Sequence, residues 1–189
     1  TDSEQAAILC FDKVIALDPK YEKAWYMKAE VLSQLGRHKE VIKCCDKAIA
    51  LLPEDAKERR TDGNRHYFSS RWRIKANALS ELGKHKESLK CCDEALKIGP
   101  TERGGSVHTL SQKGITLAKL GKHEESLKCY DEATKADDYH GSLDSVKIDL
   151  AKADALSELG GPQERMLKCY SSAIRICTNK LVGDKYSPV

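Results

Sequence analysis

The sequence has few of the residues that build β-sheets or interrupt helices. Aromatic residues make up 6% of its 189 residues and prolines number five, whereas charged residues make up 32%. Strands favour aromatic and β-branched residues, while Ala, Leu, Lys and Glu favour helices. The composition therefore predicts long helices with solvated faces.

Several functional features are missing from the sequence. No apolar run approaches the roughly 20 residues that a membrane-spanning helix needs. No phosphate-binding glycine loop, nucleophile elbow or HExxH zinc motif is present. The net charge of +3 is too small to indicate nucleic-acid binding by itself. We therefore expect a protein that is not an enzyme, binds no cofactor and does not enter a membrane.

Four segments repeat one pattern: an amphipathic run, Leu-Gly, a short polar link and a second amphipathic run. They end at Ile49, Leu96, Thr134 and Ile174, and a partial copy opens the chain. Apolar residues at steps of three mark one buried helix face, and Gly after Leu is typical of a helix C-terminus. Since neither helix can bury its stripe alone, the pattern predicts stacked helix pairs.

The repeats resemble the tetratricopeptide repeat, a family with a period of about 34 residues and a Trp, Leu-Gly, Ala and Pro pattern. Trp25 and Trp72 each lie eleven residues before the repeat glycine. Two slots hold small residues in all four repeats: Ala29, Ala76, Gly114 and Ala153 in the first helix, and Ala48, Ala95, Ala133 and Ala173 in the second. The resemblance implies an all-α, right-handed superhelical solenoid of antiparallel helix pairs, with about four and a half repeats.

We expect one array over residues 1–189, with insertions between repeats. Its segments are a half repeat 3–19, a repeat 22–53, an insertion 54–68, repeats 69–100, 107–138 and 146–178, and a tail 179–189. The tail is too short and polar to form a capping helix. Because the chain opens on the second helix of a unit, without an initiating Met or a signal peptide, we expect a piece of a longer protein.

The eight cysteines lie in helical, Lys- and Glu-rich segments, which indicates reduced thiols in a cytoplasmic protein. Cys45 and Cys92 share a repeat slot with Phe11, Tyr130 and Tyr170. A slot that accepts Cys, Phe or Tyr is a packing slot, so we expect no metal there. Cys177 fits no slot and is predicted to be the most reactive thiol.

Three histidines each lie two residues after a repeat glycine: His38, His85 and His123. One repeat apart, they are too distant from each other to share a metal ion, and we expect them to pack at the turns.

The resemblance implies a protein-interaction scaffold whose first helices line a concave groove for a peptide or a partner helix. The candidate groove residues are Tyr26, Glu30, Arg73, Asn77, His108, Gln112 and Lys147. Family members that clamp acidic C-terminal tails use a basic residue and an Asn, then an amide, then two basic residues. Arg73, Asn77, Gln112 and Lys147 match this in part, but Ala151 replaces the second basic residue. The pattern suggests a partner with an acidic end.

Two alternatives stay open at this point. Uncapped ends would allow the array to associate with itself. The stretch Lys57–Lys75 interleaves arginines with Tyr67, Phe68 and Trp72, a pattern that can bind single-stranded RNA. Since Trp72 already has a place in the repeat core, a solvated insertion is the preferred interpretation.

Overall fold

The described part of the chain consists of helices joined by short connections. The computed structural model describes residues 2–52, 62–98, 105–136 and 143–185. Within these ranges there are nine helices and no strand. The helices are α1 (Asp2–Leu17), α2 (Glu22–Gln34), α3 (His38–Ala50), α4 (Asp62–Glu81), α5 (His85–Ile98), α6 (Gly105–Lys119), α7 (His123–Ala136), α8 (Leu143–Glu158) and α9 (Gln163–Lys185).

The chain divides into two compact units, residues 1–100 and 101–189. In the first unit, α2 pairs with α3 and α4 with α5, and α1 packs against α2. In the second unit, α6 pairs with α7 and α8 with α9, and α7 packs against α8. Each unit is therefore a stack of helix hairpins, as the repeats predicted.

Glycine closes the first helix of each hairpin. Gly36, Gly83, Gly121 and Gly160 have φ values of 68°, 75°, 74° and 62°, a left-handed conformation that glycine adopts without steric cost. The N–H of Arg37 donates to the carbonyl oxygen of Leu32 at 3.0 Å, the long-range bond of a Schellman motif. The same bond recurs from Lys84 to Leu79, Lys122 to Leu117 and Gly161 to Leu156.

The small-residue slots lie where the helices approach each other. All eight of the residues predicted for these slots are buried: Ala29, Ala76, Gly114, Ala153, Ala48, Ala95, Ala133 and Ala173. Trp25 and Trp72 are partly buried and pack against the core of the first unit. The structure thus confirms the packing role predicted for these positions.

One ion pair recurs between neighbouring hairpins within each unit. Each pair joins a lysine of a first helix to an aspartate of the preceding second helix: Lys28–Asp12, Lys75–Asp46 and Lys152–Asp131. The lysine side chains are 15–20% exposed and the aspartates about half exposed. Because each lysine lies eight residues before the repeat glycine, the repeat register alone could have revealed these pairs.

Most cysteines fill the core. Cys44, Cys45, Cys91, Cys92 and Cys129 are buried, and burial raises the pKa of the Cys45 thiol to about 12. Cys10 is exposed, whereas Cys177 is half-buried on α9, one residue after the buried Ile176. Cys10 is therefore more accessible than Cys177, and on accessibility we expect Cys10 to react before it.

Helices α4 and α9 extend furthest beyond the predicted repeat boundaries, and α6 and α8 begin two and three residues before theirs. α4 begins at Asp62, inside the predicted insertion 54–68, and α9 continues to Lys185, through most of the predicted tail. No proline interrupts either extension, and the Thr178 hydroxyl donates to the carbonyl oxygen of Ile174 at 3.0 Å inside α9. The rest of the insertion, the terminal prolines Pro53 and Pro100, and residues 101–104 and 137–142 of the predicted smaller insertions lie outside the described residues.

Candidate functional site

Tyr26, a predicted groove residue of the first unit, is almost fully buried, with 8% of its surface exposed. Its hydroxyl donates to Glu30 Oε1 at 2.6 Å. Burial and, to a lesser extent, Glu30 together raise the pKa of Tyr26 to about 12, although a hydrogen bond with Ser70 and the charge of Arg73 lower it. Helix α4 therefore places Arg73 near Tyr26 and Glu30 of α2, and Asn77 follows Arg73 one turn later on α4. We call these four predicted groove residues the Tyr26 surface.

Arg73 and Asn77 lie one turn apart on α4 and are half-buried. Within the described residues, neither side chain forms an ion pair or a hydrogen bond. A guanidinium and an amide in this state can still donate hydrogen bonds to a carboxylate. The Tyr26 surface can therefore donate hydrogen bonds to an anionic group from Arg73 and Asn77.

Arg71 lies beneath this surface and holds Tyr26 in place. It is fully buried and forms an ion pair with Glu22 of α2. Its guanidinium carbon lies 4.5 Å from the centre of the Tyr26 ring and 5.6 Å from that of Phe68, distances typical of cation–π contacts. The arginine therefore links α4 to α2 and supports the ring from which the surface is built.

The structure describes only part of the basic stretch Lys57–Lys75. Arg71 is buried, and Lys75 pairs with Asp46 at 2.5 Å and lies 5.6 Å from the centre of the Trp72 ring. Lys57, Arg59 and Arg60 lie outside the described residues. In the part that the structure describes, Arg71 and Lys75 stabilise the repeat, whereas Arg73 lies near Tyr26.

Two of the three candidate residues of the second unit, His108 and Lys147, lie near one carboxylate that was not predicted. Lys147 Nζ lies 3.2 Å from Asp144 Oδ1, and His108 Nδ1 lies 3.9 Å from Asp144 Oδ2. Gln112 bonds to Thr116 Oγ1 at 3.4 Å within α6. Asp144 therefore offsets the charge of Lys147, and its position three residues before Lys147 was the signal available in the sequence.

An open cleft of about 470 Å³ lies in the second unit, between α6 and α8 over α7. We call it the α6–α8 cleft. Tyr130, with 1% of its surface exposed, forms part of its floor. Burial raises the pKa of Tyr130, and the charge of Asp154 adds to this effect. The lining residues are Ile115, Ala118, Lys119, His123, Tyr130, Ala151, Asp154, Ala155 and Glu158.

The three repeat histidines begin the second helices of their hairpins and are half-buried. Their positions are His38 in α3, His85 in α5 and His123 in α7, as expected for residues that pack at the turns. Among the described residues, no group of three or more metal-ligating side chains comes together. None of the described helices is both long and apolar enough to cross a bilayer.

Family models of the tetratricopeptide repeat match residues 22–55, 72–102 and 107–140, more than half of the chain. The chain belongs to the tetratricopeptide-repeat (TPR) family. The resemblance inferred from the repeats is thereby confirmed. TPRs serve as protein-interaction scaffolds and form a non-catalytic repeat family.

Solved structures show the same helical repeat fold. The MamA crystal structure has a TM-score of 0.72 at 13% identity, covering 94% of this chain and 91% of that one. YrrB, a TPR protein with an unusual peptide-binding site, has a TM-score of 0.63 at 19% identity, covering 93% of this chain and 78% of that one. A thermophilic TPR protein of Thermus thermophilus has a TM-score of 0.64 at 19% identity, covering 94% of this chain and 85% of that one.

No curated protein matches the chain significantly. At these identities the structural neighbours establish the fold, and the predicted helical repeat architecture is confirmed.

Proposed function

We propose that this TPR chain binds an extended segment of a partner protein on the groove-side faces of its first helices. The observation that carries the proposal is the Tyr26 surface. Its tyrosine contacts Arg71 and Glu30, while Arg73 and Asn77 form no ion pair or hydrogen bond within the described residues. A fixed aromatic ring beside polar groups that form no hydrogen bond of their own is a typical arrangement for peptide recognition.

The ligand chemistry that best fits this surface is a carboxylate, at the end of a peptide or on an acidic side chain. Arg73 presents a planar group that can bind both carboxylate oxygens, and Asn77 can add an amide donor one turn away. Glu30 keeps its negative charge while it accepts the Tyr26 hydroxyl, and it would therefore oppose an anion placed beside it. We therefore place the acidic group beside Arg73 and Asn77, on the α4 side of the surface.

His108, Gln112 and Lys147 are proposed as weaker contacts. Lys147 is 74% exposed and already pairs with Asp144, so an incoming carboxylate would compete with a carboxylate of the protein itself. Exposed pairs of this kind contribute little binding free energy.

We further propose that the chain has no catalytic role and acts in a reducing compartment such as the cytoplasm. The proposal of a reducing compartment follows from eight free cysteines, five of which are buried. The family to which the chain belongs is non-catalytic. YrrB, a structural neighbour, is a TPR protein with a peptide-binding site, which supports the proposed class of ligand.

Selection from a displayed library of random peptides tests the proposal. The selected peptides should carry acidic residues, and hydrogen–deuterium exchange with one of them should show protection in α2 and α4. Protection confined to α3 and α5, or the absence of any selected peptide, would contradict the proposal. Exchange is informative here because the α2 and α4 segments report on the Tyr26 surface separately from the second helices.

Self-association is a second candidate function, favoured by one observation on α9. Leu167 and Ile174 are 66% and 61% exposed, although they occupy the repeat slots of Ile42 and Ile49. Ile42 packs against the core of the following hairpin, so the equivalent face of α9 is suited to another helix of a second copy. Sedimentation at several concentrations should then show a dimer in the native chain and a monomer after Leu167→Glu; a monomer at every concentration would refute this role.

A further inference from the structure

The α6–α8 cleft has a chemistry that differs from that of the Tyr26 surface. Apolar side chains form its walls, with Ile115 and Ala118 on α6 facing Ala151 and Ala155 on α8. Its volume of about 470 Å³ falls within the roughly 300–1,000 Å³ of ligand pockets. The cleft therefore has room for a long side chain with an apolar stem.

The charge at this cleft is negative on balance. Asp154 and Glu158 lie one turn apart on α8, both are exposed, and both line the cleft, together with one cation, Lys119. In the described part of the chain, neither carboxylate forms an ion pair or a hydrogen bond. Their negative charges are therefore available to a cation that enters from outside.

The floor of the cleft favours the same ligand. The Tyr130 ring lies close enough to Asp154 for that carboxylate to raise its pKa, so an aromatic ring and a negative charge are neighbours. A cation near an aromatic ring and a carboxylate is stabilised by both, and a Lys or Arg stem gains contact with apolar walls. The exposed apolar side chains of Ile115 and Leu150 would contact the peptide beside this residue.

We propose that the α6–α8 cleft accepts a Lys or Arg side chain of the partner segment. The inference rests on the proposed peptide-binding function and adds a second element of specificity to it. The partner segment would carry both an acidic group for the Tyr26 surface and a basic residue for the cleft. Each is read by a different unit of the chain, so the two can be tested separately.

The first test uses a single side chain and does not need the natural partner. Nα-acetyl-arginine methylamide is added to the whole isotope-labelled chain, and its uncharged isostere Nα-acetyl-citrulline methylamide serves as control. We expect saturable NMR shifts of Ala118, Ala151 and Ala155 with the arginine probe and much smaller shifts with citrulline. Equal shifts with both probes, or none with either, would overturn the proposal.

Variants of the cleft give the second test. Asp154→Asn/Glu158→Gln should weaken binding of the arginine probe about fivefold, whereas Glu132→Gln, an exposed change on α7, should leave it unchanged. Lys119→Gln should strengthen binding, a result that misfolding could not produce. If the double variant bound the probe as well as the native chain, the carboxylates would have no role and the proposal would be wrong.

The peptide selection distinguishes this inference from the proposed function. Selected peptides that depend on Arg73 but carry no enriched Lys or Arg would overturn the cleft proposal and leave the proposed function intact. Enrichment of Lys or Arg that is lost with Asp154→Asn/Glu158→Gln would support it. Failure to select any peptide would overturn both.

Discussion

Tyr130 lies directly against Gly114, with no room for a side chain between them. A Cβ atom built on Gly114 would lie 2.5 Å from Tyr130 Cε1 and 2.8 Å from two further ring carbons. The equivalent pairs in the first two complete repeats are Ala29 with Cys45 and Ala76 with Cys92. In the third repeat a larger residue on the second helix thus coincides with a smaller one on the first, whereas the fourth repeat keeps Ala153 with Tyr170, which is 39% exposed. The floor of the α6–α8 cleft depends on the close contact of Tyr130 with Gly114.

Gly114→Ala should therefore destabilise the chain by about 1–3 kcal/mol, since a methyl group is forced into a packed contact. Combined with Tyr130→Cys, which recreates the pair found in earlier repeats, the substitution should cost less than it does alone. We expect a coupling of about 0.5–3 kcal/mol in a double-mutant cycle measured by urea unfolding. Additive effects of the two substitutions would show that the contact is not tight.

Arg71 is expected to be the most costly charged residue to remove from the first unit. Arg71→Ala leaves Glu22 without its buried partner and takes the cation from the Tyr26 ring, and losses of this kind cost about 3–5 kcal/mol. Lys84→Ala, which breaks the exposed pair with Glu87, should cost less than about 1 kcal/mol. Similar costs for the two variants in urea unfolding would argue against a structural role for Arg71.

The titration of Tyr26 should make the native state less stable in strong base. Its pKa is raised from 10.0 to about 12 in the folded chain, so folding favours the neutral hydroxyl. That contribution is fully present below pH 10 and is lost as the pH rises through 12. The phenolate absorbance of the native chain minus that of Tyr26→Phe should rise near pH 12; a difference curve centred near pH 10 would contradict this environment.

Cysteine accessibility gives a further prediction. Alkylation of the native chain should modify the exposed Cys10 first, and the half-buried Cys169 and Cys177 more slowly. The five buried thiols should react at the rate of unfolding, because burial excludes the reagent and disfavours the thiolate. Mass spectrometry of alkylated peptides over time would show this order, and early modification of Cys45 or Cys92 would be inconsistent with the core.

The repeats allowed much of the fold to be predicted, since each copy reports on the others. Gly36 and Gly83 close their helices as expected, and the small slots are buried. The early start of α4 was not predicted, because residues 62–68 have no counterpart in the other repeats. Comparison of the repeats does not predict a helix boundary where one repeat differs in length from the others.

The site was harder to predict than the fold. Arg71 looked like part of a solvated basic stretch, and its burial depends on Glu22, 49 residues away along the chain. Asp144 offsets the positive charge of Lys147. Assigning groove residues by their repeat position alone does not reveal this ion pair. Both results depend on which side chains two helices bring together, and the residue types alone do not specify this.

The most direct test of the account is the affinity of a selected acidic peptide for the native chain and two charge-reversed variants. Calorimetry should show that Arg73→Glu weakens binding at least about tenfold, equivalent to ~1.4 kcal/mol. Lys90→Glu makes the same charge change at an exposed position of α5 and should alter affinity less than about twofold. Equal losses in both variants would reflect net charge alone, and full binding by Arg73→Glu would place the ligand elsewhere on the chain.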